Sequence, residues 1–137
     1  MRTAPALQEA QIQAALTRAD QGAGTARIRI YATARPAAPG AHSDAPICEI
    51  ELTKPCGSVA GGALTLSAPA PGMVMQPGIP RWAEWLAADG AVLMDASVTD
   101  ADHGGDFTIA GAATAPGETA PYFMAGAMLV LGTVALT

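Results

Sequence analysis

Prolines at positions 69, 71, 77 and 80 constrain this chain more than any other feature. Proline lacks a backbone donor and clashes with the preceding helical turn, so no long helix can cross this region. Further prolines at 36, 39 and 46, with Gly40, make residues 34–46 a loop. Between such breaks the apolar residues alternate. In "ARIRIYAT", Ile28, Ile30 and Ala32 alternate with Arg27, Arg29 and Tyr31. In "ICEIELT", Cys48, Ile50 and Leu52 point one way and Glu49 and Glu51 the other. A period of two marks a half-buried strand. The opposed Arg27/Arg29 and Glu49/Glu51 rows predict that these two strands pair, with charges facing across the outer surface.

Short strand candidates follow along the rest of the chain. "SVA" and "ALTLS" flank Gly61-Gly62, "MVM" lies at 73–75, "DFTIAG" alternates Phe107 and Ile109 with polar residues, and "AMLVLGTVALT" closes the chain. Seven or eight strands at this spacing predict an all-β fold, a β-sandwich, jelly roll or barrel. One helix is expected, over residues 3–20. Thr3 is a candidate N-cap, Pro5 sits in the first turn where no N–H is needed, and Gly22 and Gly24 end it. Its apolar stripe, Ile12, Ala15, Leu16 and Ala19, is thin, so it should lie on a sheet or on a neighbouring subunit. The 137 residues suit one domain, with helix 3–20 followed by a β-sandwich over 26–137.

"RWAEWLAADGAVLMDASV", residues 81–98, is ambiguous by itself. Residues 81–88 contain good helix formers and would make two turns, which is marginal without strong packing. They also alternate as a strand, with Asp89-Gly90 as a hairpin turn to "AVLMDASV". The all-β context selects the hairpin. Trp82, Glu84 and Leu86 then share one face and Ala83, Trp85 and Ala87 the other. One tryptophan would be core and the other would face a partner or the helix. Trp82, Trp85, Leu16 and Ile12 are therefore the expected interface residues, since tryptophan is enriched at binding hot spots.

Composition narrows the function classes. Only 14% of residues are charged and only 4% are aromatic. Low charge fits either a surface covered by partners or an alanine-rich genomic bias. Few aromatics imply a core of small and aliphatic side chains, with Met73, Met75, Met94, Met124 and Met128 filling gaps. Net charge is −5, and after Arg81 every charged residue is acidic. Nothing clusters to neutralise phosphates, so no nucleic-acid partner is expected. The N-terminus lacks the apolar core of a signal peptide. Residues 120–137 are uncharged, but the apolar part is short for a membrane span and should be buried strand. No membrane partner is expected.

Catalytic constellations are sparse. Cys48 reads as a buried thiol, and a Cys48–Cys56 bridge stays open. His42 and His103 each fall in a predicted loop, no G-x-S-x-G elbow occurs, and a cysteine–histidine pair has no local support. "GSVAGG" at 57–62 lacks the lysine and Ser/Thr of a phosphate loop and reads as a turn. "TDADHGGD" gathers Asp100, Asp102 and Asp106, the weak candidates for a metal site. The spacing lacks the later ligands of a calcium loop, so a solvated hairpin tip is expected there. No catalytic residue, cofactor or metal is assigned, and the chain is not expected to be an enzyme.

"RIRIYAT" at 27–33, Trp82 with Trp85, "VLMDASV" at 92–98, "DFTIAG" and the terminal run resemble, in order, a family of small tailed-bacteriophage virion proteins. Within that group the chain is most similar to the capsid cement (decoration) proteins of Bordetella-type phage heads. The resemblance spans most of the chain, with residues 55–80 unmatched strand for strand. It implies a jelly-roll-like fold, a homodimer on the outer surface of the capsid, and the major capsid protein as partner. Assembly would take place in the cytoplasm of the bacterial host. Two alternatives remain: a neck or tail component of the same kind of particle, and a small jelly-roll module with metal-assisted activity at the Asp-rich loop.

Overall fold

The ladder that organises the molecule begins where charge alternation indicated. In a computed structural model describing residues 1–61 and 63–134, strand β1 (Arg27–Tyr31) pairs antiparallel with β2 (Cys48–Glu51), setting Arg27 opposite Glu51 and Arg29 opposite Glu49. Arg29 Nε donates to Glu49 Oε2 at 2.8 Å. The hairpin β3 (Gly57–Ala60) and β4 (Ala63–Leu66) follows, then the two-residue β5 (Gly72–Met73). Strands β6 (Trp82–Leu86), β7 (Val92–Thr99), β8 (Phe107–Ala110) and β9 (Met128–Val134) complete the set.

Seven strands form one mixed sheet in the order β2-β1-β6-β7-β8-β9-β5. Its two ends nearly meet, because Val74, just past β5, bridges to Cys48 of β2. Closure needs a close backbone approach. A Cβ on Gly72 would sit 2.6 Å from Cys48 Sγ and 2.9 Å from the Glu49 carbonyl oxygen, so glycine is required there. The β3–β4 hairpin forms a second sheet and lies against the helix and β9. The fold is thus all-β with one N-terminal helix.

The core fills the sheet's inner face. Ile28, Ile30, Cys48, Ile50, Ala83, Trp85, Ala96, Phe107, Phe123 and Leu129 pack together, closed by Leu16 and Ala19 of the helix. Each large apolar side chain removed from water contributes ~1.5–3 kcal/mol before entropy is counted. Every aromatic residue except Tyr122 is buried.

Residues 82–86 are strand, and the hairpin over 82–99 forms with Ala83 opposite Ala96 and Glu84 opposite Asp95. Its turn is longer than a two-residue Asp-Gly turn. Gly90 takes a positive φ of 92°, but among the described residues no non-glycine does, so Asp89 cannot supply the second positive φ of the tightest hairpin turn. Asp89 Oδ1 instead accepts the Ala91 N–H at 3.0 Å. The helix, α1 (Pro5–Ala19), docks on this turn. Ala88 N–H donates to the Ala19 carbonyl at 2.8 Å, and Arg18 pairs with Asp89 at 3.0 Å.

Several expectations are corrected. The helix is shorter than 3–20. Its N-cap is Ala4, without a side-chain cap, and Thr3 Oγ1 accepts Gln8 Nε2 at 3.1 Å instead of capping. Residues 100–106 are not a hairpin tip. They join β7 to β8 as parallel neighbours, with Val98 opposite Phe107 and Thr99 opposite Thr108. Both cysteines are free thiols. The final strand runs to Val134, and the rest of the expected terminal strand lies outside the described residues, as does Gly62 of the expected turn. Among the described residues no helix is long and apolar enough to cross a membrane.

Candidate functional site

Two regions stand out: a polar cluster under residues 32–46, and an uncharged face around β5 and β9. The first begins with register. Pairing across β2, β1, β6 and β7 sets Glu49, Arg29, Glu84 and Asp95 in one row on the face away from the core. Glu84 and Asp95 are direct neighbours of like charge, a destabilising arrangement unless compensated. The proline-rich segment 32–46 folds over this face and supplies the compensation. Arg35 Nε donates to Asp95 Oδ1 at 2.8 Å, its Nη2 also contacts that oxygen, and Nη2 donates to the Asp95 carbonyl at 3.1 Å. His42 Nε2 lies 2.6 Å from Glu84 Oε1. The Asp44 N–H donates to His42 Nδ1 at 3.2 Å, which places the imidazole proton on Nε2, donating to Glu84. Tyr31 Oη donates to the other Glu84 oxygen at 2.8 Å.

Trp82 stacks on Tyr31 with ring centroids 4.3 Å apart, and His42 meets both rings edge-on. All five residues of β6 are buried for this reason: the core covers one face and the 32–46 segment the other. An open cleft of about 490 Å³ remains beside the cluster, lined by Arg29, Tyr31, His42, Asp44, Glu84 and Val92 among others. Both Glu84 oxygens are occupied, and burial, reinforced by Glu84, holds the Tyr31 phenol well above its ordinary pKa. The cluster is thus a clamp that holds the 32–46 segment to the sheet. Burial pushes Cys48 up to about 11 and Cys56 up to about 12, so both are protonated at neutral pH.

The acidic loop spends its carboxylates on itself. Asp100 accepts the Asp102 N–H at 3.0 Å, the Thr114 hydroxyl at 2.6 Å and His103 Nδ1 at 2.6 Å. The Thr114 hydroxyl, then His103, hold its carboxyl below the ordinary value. Asp106 turns to Ser97, accepting its hydroxyl at 3.1 Å. Asp100, Asp102 and Asp106 are therefore not gathered around one point. Among the described residues no group of three or more His, Cys, Asp or Glu could hold a metal ion.

The expected interface residues are also relocated. Trp82, Trp85 and Leu16 are buried within their own chain, so none can anchor a partner at the surface. Trp85 faces the helix, one of its two expected positions, and with buried Leu64 and half-buried Ile12, Ala15 and Met94 it lines a groove of about 310 Å³. The exposed apolar side chains lie elsewhere. Met73, Met75, Tyr122, Met124, Met128 and Val130 are 44–69% exposed. Of the five methionines expected to fill the core, only Met94 packs against it.

Pairing explains their grouping. Met73 stands opposite Met128 in the β5–β9 ladder, and Val74 points inward, so Met75 shares the outward side with Met73. Val130 lies two residues from Met128 on the same side. The Ala127 N–H donates to the Met124 carbonyl at 3.0 Å, closing a turn that holds Met124 beside the ladder. The chain supplying this face has no charged residue over 55–80 or over 119–137. Methionine and tyrosine enrichment with charge depletion is the composition of an interface core, and a grouped apolar patch on a surface marks an interaction site. Those two charge-free runs were the available sequence signal. Comparison with protein-family models, curated proteins and solved structures finds no match for this chain.

Proposed function

We propose that this chain is a non-enzymatic structural protein of a tailed-bacteriophage virion, a cement protein bound to the outside of the head. It would fasten major capsid subunits together and associate with a second copy of itself. The observation that carries the reading is the uncharged methionine face, an exposed apolar surface suited to docking one of the two protein partners the reading requires. The order of motifs shared with small virion proteins, and the all-β fold with an N-terminal helix, support it further. Stabilisation would follow from mass action. A ligand that binds only the assembled shell stabilises it by RT ln(1 + [L]/Kd) at every site it occupies. Nucleic acid is not among the proposed partners, because no lysine or arginine follows Arg81, and a membrane is not, because the apolar part of residues 120–137 is short for a span.

The test is binding to expanded, undecorated phage heads followed by reconstruction of the particle. Saturable binding on the shell lattice, with a raised melting temperature of the heads, is expected. Failure of the folded protein to bind heads would overturn the proposal. Density confined to a single ring at the vertex would assign it to the neck or tail instead.

A further inference from the structure

The proposed function names two partners, a shell and a second copy, and the uncharged face can be assigned between them. We infer that the face formed by Met73, Met75, Tyr122, Met124, Met128 and Val130 is the self-association surface, covered by the same face of a second copy. The inference deepens the cement reading and rests on it only for the choice between these partners.

Three observations select the second copy. The first is charge. The protein carries −5 overall, so net repulsion between copies is least opposed at a contact free of charge, and the segments that build this face contain none. A basic partner would be met by carboxylates, and an anionic one by lysine or arginine. Neither is present over 55–80 or 119–137. The matching occupant is an equally uncharged apolar protein surface, which a second copy presents by construction.

The second observation is backbone pairing. β5 is two residues long, bonded to β9 on one side and followed on the other by the Val74–Cys48 bridge. Among the described residues no free strand edge is left there to accept an extended peptide, so the contact is made face to face by side chains. The third is side-chain type. Four of the six residues are methionine, whose unbranched thioether adapts to an irregular neighbour. A two-fold contact sets each patch against its own image, and flexible side chains can interleave with themselves where branched ones would clash.

The test is sedimentation of the full chain at about 100 µM, well above the dissociation constants of specific dimers. The wild-type protein is expected as a dimer. Met73→Lys with Met128→Lys places four cations in the contact and should weaken association ~100-fold or more. Its circular dichroism spectrum should match wild type, because both side chains are exposed in the single chain, while its melting temperature falls by the stabilisation that association supplies and by the repulsion of two lysines paired across the ladder. A second probe avoids mutation. Hydrogen peroxide transfers one oxygen to each thioether, breaking its O–O bond, forming S–O and releasing water. In dilute protein, where the dimer dissociates, the methionines of this face should oxidise before Met94, and the oxidised chain should fail to re-form the dimer until methionine sulfoxide reductase restores it. A monomeric wild type, or a dimer indifferent to both treatments, overturns the inference. So does a monomer whose binding to heads or to neutral lipid vesicles is abolished by the lysine variant, which would give the face to that partner. A dimer broken by the variant in a protein that never binds heads would sink the cement reading and leave this one standing.

Discussion

His42 and Glu84 are 42 positions apart in the chain, yet the imidazole Nε2 and the carboxylate Oε1 meet at 2.6 Å. The contact fastens the 32–46 segment over a carboxylate that is otherwise sealed between Tyr31, Asp95 and the sheet. Truncating His42 leaves one Glu84 oxygen buried without its donor. His42→Ala should cost about 2 kcal/mol, the usual loss for a hydrogen bond to a buried charged group. A double cycle with Glu84→Gln, read by urea unfolding, should show coupling between the two. A loss below about 0.5 kcal/mol, typical of a surface position, would mean that the segment is held by other contacts.

Closure of the sheet should depend on Gly72. Its absent side chain leaves room for Cys48 Sγ, Ile50 Cγ1 and the Glu49 carbonyl, which a Cβ would approach to 2.6, 2.8 and 2.9 Å. One of these is backbone and the others are buried side chains, so none can yield cheaply. Gly72→Ala should destabilise by ~1–3 kcal/mol. The urea midpoint measures it, and an unchanged midpoint would show that β5 is not tightly apposed to β2.

Alkali should weaken the fold through its buried acids. Cys48 and Cys56 are raised from 9.0 to about 11 and about 12, mainly by burial, and Tyr31 is raised from 10.0 for the same reason. Between pH 9 and 12 the unfolded thiols release protons that the folded ones retain. The unfolded state then binds fewer protons, and stability falls as pH rises. The stabilisation is complete below pH 9 and is lost progressively through the folded values. Up to about 1.4 kcal/mol per group per pH unit is expected in that window. Denaturant titrations of wild type and Cys48→Ala across the range provide the check, and the variant's slope should be shallower.

The Asp100 loop should behave as a hydrogen-bonded device. Its carboxylate partners are protein groups, namely the Asp102 N–H, Thr114 and His103. Asp100→Ala should lower the melting temperature by a few degrees, by the same amount with calcium or with a chelator. Calcium-dependent stabilisation of wild type that disappears in the variant would show a cation site instead.

Elements whose signal is local were legible in the sequence. Arg27, Arg29, Glu49 and Glu51 announced both strands and their pairing, because opposite charges across a ladder have to match row by row. The 82–99 hairpin was legible too, although only after the all-β context was weighed against a marginal two-turn helix. The helix was recognised, but not its cap, since Thr3 satisfies Gln8 and leaves Ala4 at the N-cap. The parallel pairing of β7 and β8 was not legible. Nothing in "TDADHGGD" says that the loop returns the chain in the same direction.

Which apolar side chains would be exposed was not legible for a related reason. Trp82 and Trp85 have the composition of interface anchors, and Met73, Met75, Met124 and Met128 have that of core filler. Hydrophobicity is a property of a residue, whereas exposure depends on what a distant segment covers. The 32–46 segment, through His42 and Arg35, buries the face bearing Trp82. No described segment does the same for the β5–β9 face. By itself the sequence determined the strand periodicity, the breaks, the charge asymmetry and the all-β class with one helix, because each follows from local sterics or nearest-neighbour pairing. Only the tertiary structure decided which faces are closed. That choice rests on contacts between residues tens of positions apart, whose partners no local pattern names.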